Sequence, residues 1–119
     1  MVYVYSNYGQ NYVDIFAPGA GIYSTDLNNE YSSHSGSGPA ANVVAGIAAL
    51  ILSYHPELKP NELIDILLAS STDYKKRLVL KPSLNIWERE TVKFETLCKS
   101  GGIINAYEAM KMADAGKVK

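Results

Sequence analysis

The chain has 119 residues, of which 47% are hydrophobic and 19% charged, and its net charge is −1. That length is enough for one small domain with its own core but not for two, and the composition is that of an ordinary globular protein. The small net charge excludes an overall field that would draw the chain to nucleic acid or to an anionic membrane, so we expect neither as a partner. All eleven basic residues lie at or after Lys59. Residues 1–58 therefore carry few charged side chains, as expected of a segment that is mostly buried inside a domain.

The first half of the chain predicts short strands and then one long apolar helix. Strands are predicted over 2–5, 13–16, 22–25 and 31–33, the last two forming a hairpin. The helix is predicted over 39–54, where nearly every residue is apolar, so it should be buried on all sides, with Gly46 at a close backbone contact. A buried helix and a buried parallel strand need more neighbours than this chain offers, so the chain is interpreted as part of a larger α/β domain.

The second half predicts two peripheral helices separated by a less regular stretch. One helix should span 60–70, and another should begin with Asn105 as its N-cap. Residues 72–100 are interpreted as a variable insertion that holds two short strands, and residues 115–119 as a frayed tail. The only cysteine, Cys98, is expected to be a plain thiol, buried or half-buried, since no spacing of histidine and cysteine suggests a metal site.

Four stretches of the chain resemble, in order, the motifs of one known family. YSNYG resembles F-S-N-Y-G, and VDIFAPGAGIYST resembles V-D-x-x-A-P-G-x-x-I-x-S-T. SGSGPAANVVAGIAALI resembles S-G-T-S-M-A-x-P-x-V-A-G-x-A-A-L, and GGIINAYEAM resembles G-x-x-N-A-x-x-A. These motifs belong to the C-terminal part of the catalytic domain of subtilisin-like serine peptidases, the subtilases. The resemblance implies a single incomplete domain over 1–119 with a partial three-layer α/β fold, made of short parallel strands, a hairpin, a buried core helix and two peripheral helices.

The resemblance also implies peptide-bond hydrolysis by acyl transfer, in which a serine attacks, a histidine takes its proton and an aspartate holds the histidine. In this family the aspartate, the histidine and the oxyanion-stabilising asparagine belong to stretches upstream of those matched here. When AANVVAG is aligned without a gap on the family motif, Gly38 stands at the position of the nucleophilic serine and Ser37 at the position of the threonine before it. Glycine has no side chain to acylate, so we expect the chain to be inactive. A shift of one residue rotates a helical side chain by about 100°, so Ser37 is interpreted as a helix cap rather than a substitute nucleophile.

His34, Ser35 and Gly36 lead into this helix and, by the resemblance, border the substrate cleft. His34 does not match the catalytic histidine, so it is interpreted as a residue of the cleft rim rather than a base. Three hypotheses stay open: an inactive piece of a subtilase, a non-catalytic module that binds a peptide or protein, and a structural fragment that completes its domain with an upstream subtilase segment. No cofactor is expected, and unpaired strand edges with exposed apolar helix faces should make the isolated chain self-associate.

Overall fold

A computed structural model describes residues 2–85, 87 and 89–116 of the chain. The strands are β1 (Ile22–Thr25), β2 (Tyr31–His34), β3 (Thr72–Asp73), β4 (Leu78–Leu80), β5 (Thr91–Lys93) and β6 (Gly102–Ile103). The helices are α1 (Ser37–Tyr54), α2 (Pro60–Ala69) and α3 (Ala106–Asp114), and short 3₁₀ turns occupy Leu27–Asn29 and Phe94–Thr96. This mixture of helices and strands is the α/β class that the sequence predicts.

The strands form three separate antiparallel pairs. β1 pairs with β2, β3 with β6, and β4 with β5. The segment 13–16, predicted as a parallel strand, is extended and hydrogen-bonds to residues 99–104, with one isolated parallel bridge between Phe16 and Ile103. The predicted strand over 2–5 is wrong, because this segment enters a turn. The N–H groups of Lys99 and Ser100, which are consecutive in the chain, donate to the carbonyl oxygens of Val13 and Asp14. In a regular ladder alternate residues of a strand bond to the same neighbour, so this pattern does not make 13–16 a strand.

The hairpin β1–β2 forms as predicted. Its register places Ile22 opposite His34. Asn28 and Asn29 both have φ of 59° in the turn, a left-handed conformation that asparagine tolerates better than most other residues. The chain leaves β2 directly into the loop that precedes α1.

Helix α1 is apolar along its length, yet it is largely exposed in this chain. Ile51 is its one buried residue, because α2 and α3 cover only the side that carries Val44, Ile47 and Ile51. The prediction for Gly46 is therefore wrong here: Gly46 is exposed, and a Cβ built on it would meet no atom within 4 Å. By length and composition alone α1 is also able to cross a membrane, since its 18 residues have a mean hydropathy of 1.4.

Two hydrophobic clusters make up the core of the described residues. The first joins the three helices through the buried side chains Ile51, Leu63, Ile66, Leu67, Ala109 and Ala113. The second lies beside β4 and β5 and contains Val2, Phe94, Leu97 and Cys98. Cys98 is fully buried, as predicted for a plain thiol.

Both peripheral helices begin where the sequence predicts, and polar side chains cap them. Glu62 Oε2 accepts the backbone N–H that precedes α2 at 2.8 Å. The Asn105 side chain accepts the Glu108 N–H at 3.1 Å, which confirms Asn105 as the N-cap of α3. His55 Nε2 lies 2.8 Å from Asp114 Oδ1 and so joins the ends of α1 and α3.

Residues 72–100 contain β3, the hairpin β4–β5 and the 3₁₀ turn Phe94–Thr96. The two strands predicted here, over 77–80 and 91–97, correspond to β4 and β5, but the second is shorter than predicted because residues 94–96 form the 3₁₀ turn. That the stretch is a variable insertion stays a prediction. Of the predicted frayed tail, residues 117–119 lie outside the described residues.

The chain is more open than a complete domain of its size. Its radius of gyration is 15.6 Å, whereas a compact domain of this length is expected at about 13.5 Å. Its solvent-accessible surface is 8276 Å², whereas a folded monomer of this mass exposes about 6,300 Å². The chain thus exposes about 1,900 Å² more than a compact monomer of its mass.

Candidate functional site at the start of α1

Two glycines hold the start of α1 in place. Gly36 precedes the helix with φ of 141°, a conformation that other residues rarely adopt. Its N–H donates to the Gly19 carbonyl oxygen at 2.7 Å. Gly19 has no room for a side chain, because a Cβ there would lie 2.7 Å from Gly36 O and 2.9 Å from Ala40 Cβ. The loop that contains Gly19 therefore positions the first turn of α1.

The serines on either side of Gly36 make structural contacts. Ser35 Oγ accepts a hydrogen bond from Gly21 N–H at 2.8 Å. Ser37 is already the first residue of α1, so the prediction that it caps the helix is wrong: Gly36 occupies the cap position, and no side chain caps this end. Ser37 Oγ instead accepts a hydrogen bond from Asn7 Nδ2 at 3.4 Å. Among the residues that the structure describes, the one side-chain partner of this hydroxyl is an amide donor, which cannot take a proton from it.

Gly38 lies in the first turn of α1 and is exposed. A Cβ built on Gly38 would meet no atom within 4 Å. Nothing in its surroundings therefore requires a glycine, in contrast to Gly19. A serine fits this position without displacing its neighbours, and its hydroxyl would project from the N-terminal turn of the helix.

His34 belongs to a polar cluster on the hairpin with Asp26 and Ser32. The Ser32 hydroxyl donates to Asp26 Oδ2, and His34 Nε2 lies 2.6 Å from Ser32 Oγ and 3.4 Å from Asp26 Oδ2. Because a hydroxyl has only one proton, His34 Nε2 must donate to Ser32 rather than accept from it. The imidazole is therefore not placed as a base for Ser32, and the arrangement differs from a Ser-His-Asp triad, in which the carboxylate holds the histidine.

The carboxyl group of Asp26 in this cluster has a lowered pKa. The hydrogen bond from the Ser32 hydroxyl is the main cause, followed by one from Leu27 N–H, and together they hold the pKa of Asp26 below its usual 3.8. Sequence reasoning missed this cluster. Alternation along β2 does place residues 32 and 34 on one face, but Asp26 reaches them only through the geometry of the turn.

An open cavity of about 880 Å³ lies between the segment 13–20 and the helices α1 and α2. Its lining includes the polar residues Asn7 and Ser37 and the apolar residues Val44 and Leu67. Of the predicted site residues, Gly36 and Ser37 line this cavity, whereas His34, Ser35 and Gly38 are not among its lining residues, and their assignment to a substrate cleft stays a prediction. Within residues 2–85, 87 and 89–116, no three His, Cys, Asp or Glu side chains are grouped so as to hold a metal ion.

Comparison with known proteins assigns the chain to a family. The protein-family sequence model described as "Subtilase family" matches residues 1–85. Subtilisin-like protease 3 of Plasmodium falciparum is 34% identical over 106 residues, which is 89% of this chain and 12% of that protein. Subtilisin DY of Bacillus licheniformis is 39% identical over 61 residues, which is 51% of this chain and 22% of that protein.

Solved structures give the same result for the fold. A chain of the subtilase cytotoxin SubAB superposes with a TM-score of 0.73 at 26% identity, over 92% of this chain and 29% of that one. The prenylagaramide maturation protease PagA superposes with a TM-score of 0.61 at 28% identity, over 88% of this chain and 35% of that one. The chain therefore spans about a third or less of each of these proteins.

Proposed function

Because this chain belongs to the subtilase family and spans only part of its peptidase domain, we propose that it is a non-catalytic C-terminal piece of such a domain. The observation that carries the proposal is Gly38. The motif register puts this residue at the position of the nucleophilic serine, in the first turn of α1. Without a side chain at that position, no acyl-enzyme can form there.

The neighbouring hydroxyl and imidazole do not replace the missing chemistry. Ser37 pairs with Asn7, and His34 is turned toward Ser32 within its own hairpin. Acyl transfer needs a nucleophile that is hydrogen-bonded to a base, and a third group that orients the base. Within the part of the chain that the structure describes, neither Ser37 nor His34 makes contacts of that kind.

We further propose that the role of the chain is structural: it completes a subtilase-like domain together with an upstream segment of the same family. The surface excess of about 1,900 Å² is larger than the roughly 800 Å² that each partner buries in a standard protein interface. Much of α1 is exposed although it is apolar all round. Residues 1–58 contain no lysine or arginine, so this part of the chain presents little charge that association would have to desolvate.

A fluorophosphonate probe, which labels only activated serines, tests both parts of the proposal. The chain and its Gly38→Ser variant are each incubated alone and with the segment of the P. falciparum protease that precedes the matched region. We expect labelling only when Gly38→Ser is combined with the upstream segment, because a serine without a base stays unreactive. Ser37→Ala in the Gly38→Ser background is the control and should be labelled equally well. Labelling of the unaltered chain would contradict the proposed inactivity.

A further inference from the structure

The hairpin β4–β5 carries an exposed apolar surface that the proposed function does not use. Leu78 and Leu80 lie on its outer face and are 65% and 48% exposed. Beyond the strands, at the tip of the hairpin, Leu84 and Trp87 are 84% and 90% exposed. We propose that this apolar surface, defined by Leu78, Leu80, Leu84 and Trp87, docks on an anionic lipid surface.

The charge of the hairpin fits an anionic partner. Residues 75–93 contain six of the eleven basic residues of the chain and only two of its twelve acidic ones. The rest of the chain is correspondingly acidic. The expectation of no membrane partner rests on the net charge of −1, and this sum hides the separation between the hairpin and the rest of the chain. Basic residues near an anionic bilayer each contribute attraction that weakens with salt.

The strand that carries Leu78 and Leu80 packs on the core through its other face. On the inner face of the hairpin, Val79 and Val92 pack against the cluster that contains Phe94. At the tip, Asn85 Oδ1 accepts Trp87 N–H at 3.2 Å, and Arg89 donates to the carbonyls of residues 80 and 81. Leu78 and Leu80 are thus presented by a paired strand whose other face packs on the core.

The kind of side chain distinguishes a lipid surface from nucleic acid. Single-stranded nucleic acid is bound by several aromatic rings on which successive bases stack. Here one tryptophan stands among three leucines, which cannot stack on bases. Leucine side chains enter the acyl boundary of a bilayer, while the indole is stable at the headgroup level because it has both an apolar body and an N–H. The combination with nearby basic residues is typical of an interfacial membrane contact.

Trp87 is the only tryptophan of the chain and reports directly on this contact. The full chain is mixed with vesicles of phosphatidylcholine alone and with vesicles that also contain phosphatidylserine. We expect the emission of Trp87 to move to shorter wavelength with the anionic vesicles, and to move back as salt is added. Leu84→Ser should weaken partitioning by about tenfold, since it removes a leucine that becomes buried in the bilayer.

Leu27→Ser is the matched control, because Leu27 is 80% exposed on the other hairpin, β1–β2, and should leave partitioning unchanged. Unshifted emission with both kinds of vesicle would overturn the proposal. So would binding that Leu84→Ser does not weaken, since that result would assign the contact to another surface such as the exposed face of α1. Neither result depends on whether Gly38 lies at the nucleophile position.

Discussion

Replacing Gly19 by alanine should loosen the start of α1. The added Cβ would lie 2.7 Å from the Gly36 carbonyl oxygen and 2.9 Å from Ala40 Cβ, so the loop or the helix has to move. Overpacking of this kind costs about 1–3 kcal/mol. The movement also strains the 2.7 Å hydrogen bond from Gly36 N–H to Gly19 O, which contributes about 1 kcal/mol. The expected loss in the free energy of unfolding is therefore about 2–4 kcal/mol.

Gly46→Ala is the matched control for this substitution. Gly46 lies inside α1, and a Cβ there meets open space, so alanine should raise the free energy of unfolding by about 0.5–1 kcal/mol. Urea titration followed by far-UV circular dichroism measures both variants against the unaltered chain. If Gly19→Ala proves as stable as Gly46→Ala, the close contact between the Gly19 loop and the start of α1 is wrong.

Three further predictions concern other parts of the chain. Ser32→Ala should raise the pKa of Asp26 toward 3.8, as measured by NMR titration. In the unaltered chain, the ionised Asp26 carboxylate stabilises the hairpin above pH 3.8, and this stabilisation is lost as the pH falls through the lowered pKa of the folded state. An Asp26 pKa unchanged by Ser32→Ala would contradict the hydrogen bond. Asn105→Ala should lower the free energy of unfolding by about 1 kcal/mol in urea titration, because α3 loses its cap, whereas Asn61→Ala, at an exposed position in α2, should have little effect. The isolated chain should self-associate through its exposed apolar surface, as measured by size-exclusion chromatography with light scattering. A clean monomer with a sharp thermal transition would contradict this and favour an autonomous binding module.

The positions of the helices could be predicted from the sequence, because local signals determine them. Pro60 at the first helical position and Asn105 as an N-cap act within a few residues, and both helices begin where these residues indicate. The turn at Asn28 and Asn29 is equally local, since these residues tolerate positive φ.

Burial could not be predicted in the same way. The apolar pattern of α1 describes what the helix can bury, whereas the exposure of Gly46 depends on which elements are present to cover it. The segment 13–16 differs from its prediction because its hydrogen bonds to residues 99–104 do not form a regular ladder, and this pattern depends on how those residues fold. The hydrogen bonds among Asp26, Ser32 and His34 depend on how a turn folds back, and no spacing of residue types indicates them.

Mapping the site of labelling tests the central claim most directly. The complex of Gly38→Ser with the upstream segment is treated with the fluorophosphonate probe, digested, and examined by mass spectrometry. We expect the adduct on residue 38, in the first turn of α1, because that is where the motif register places the family's nucleophile. An adduct on Ser37, or one that forms equally well in the complex of the unaltered chain, would contradict the claim that Gly38 is what leaves this subtilase-like chain without a nucleophile.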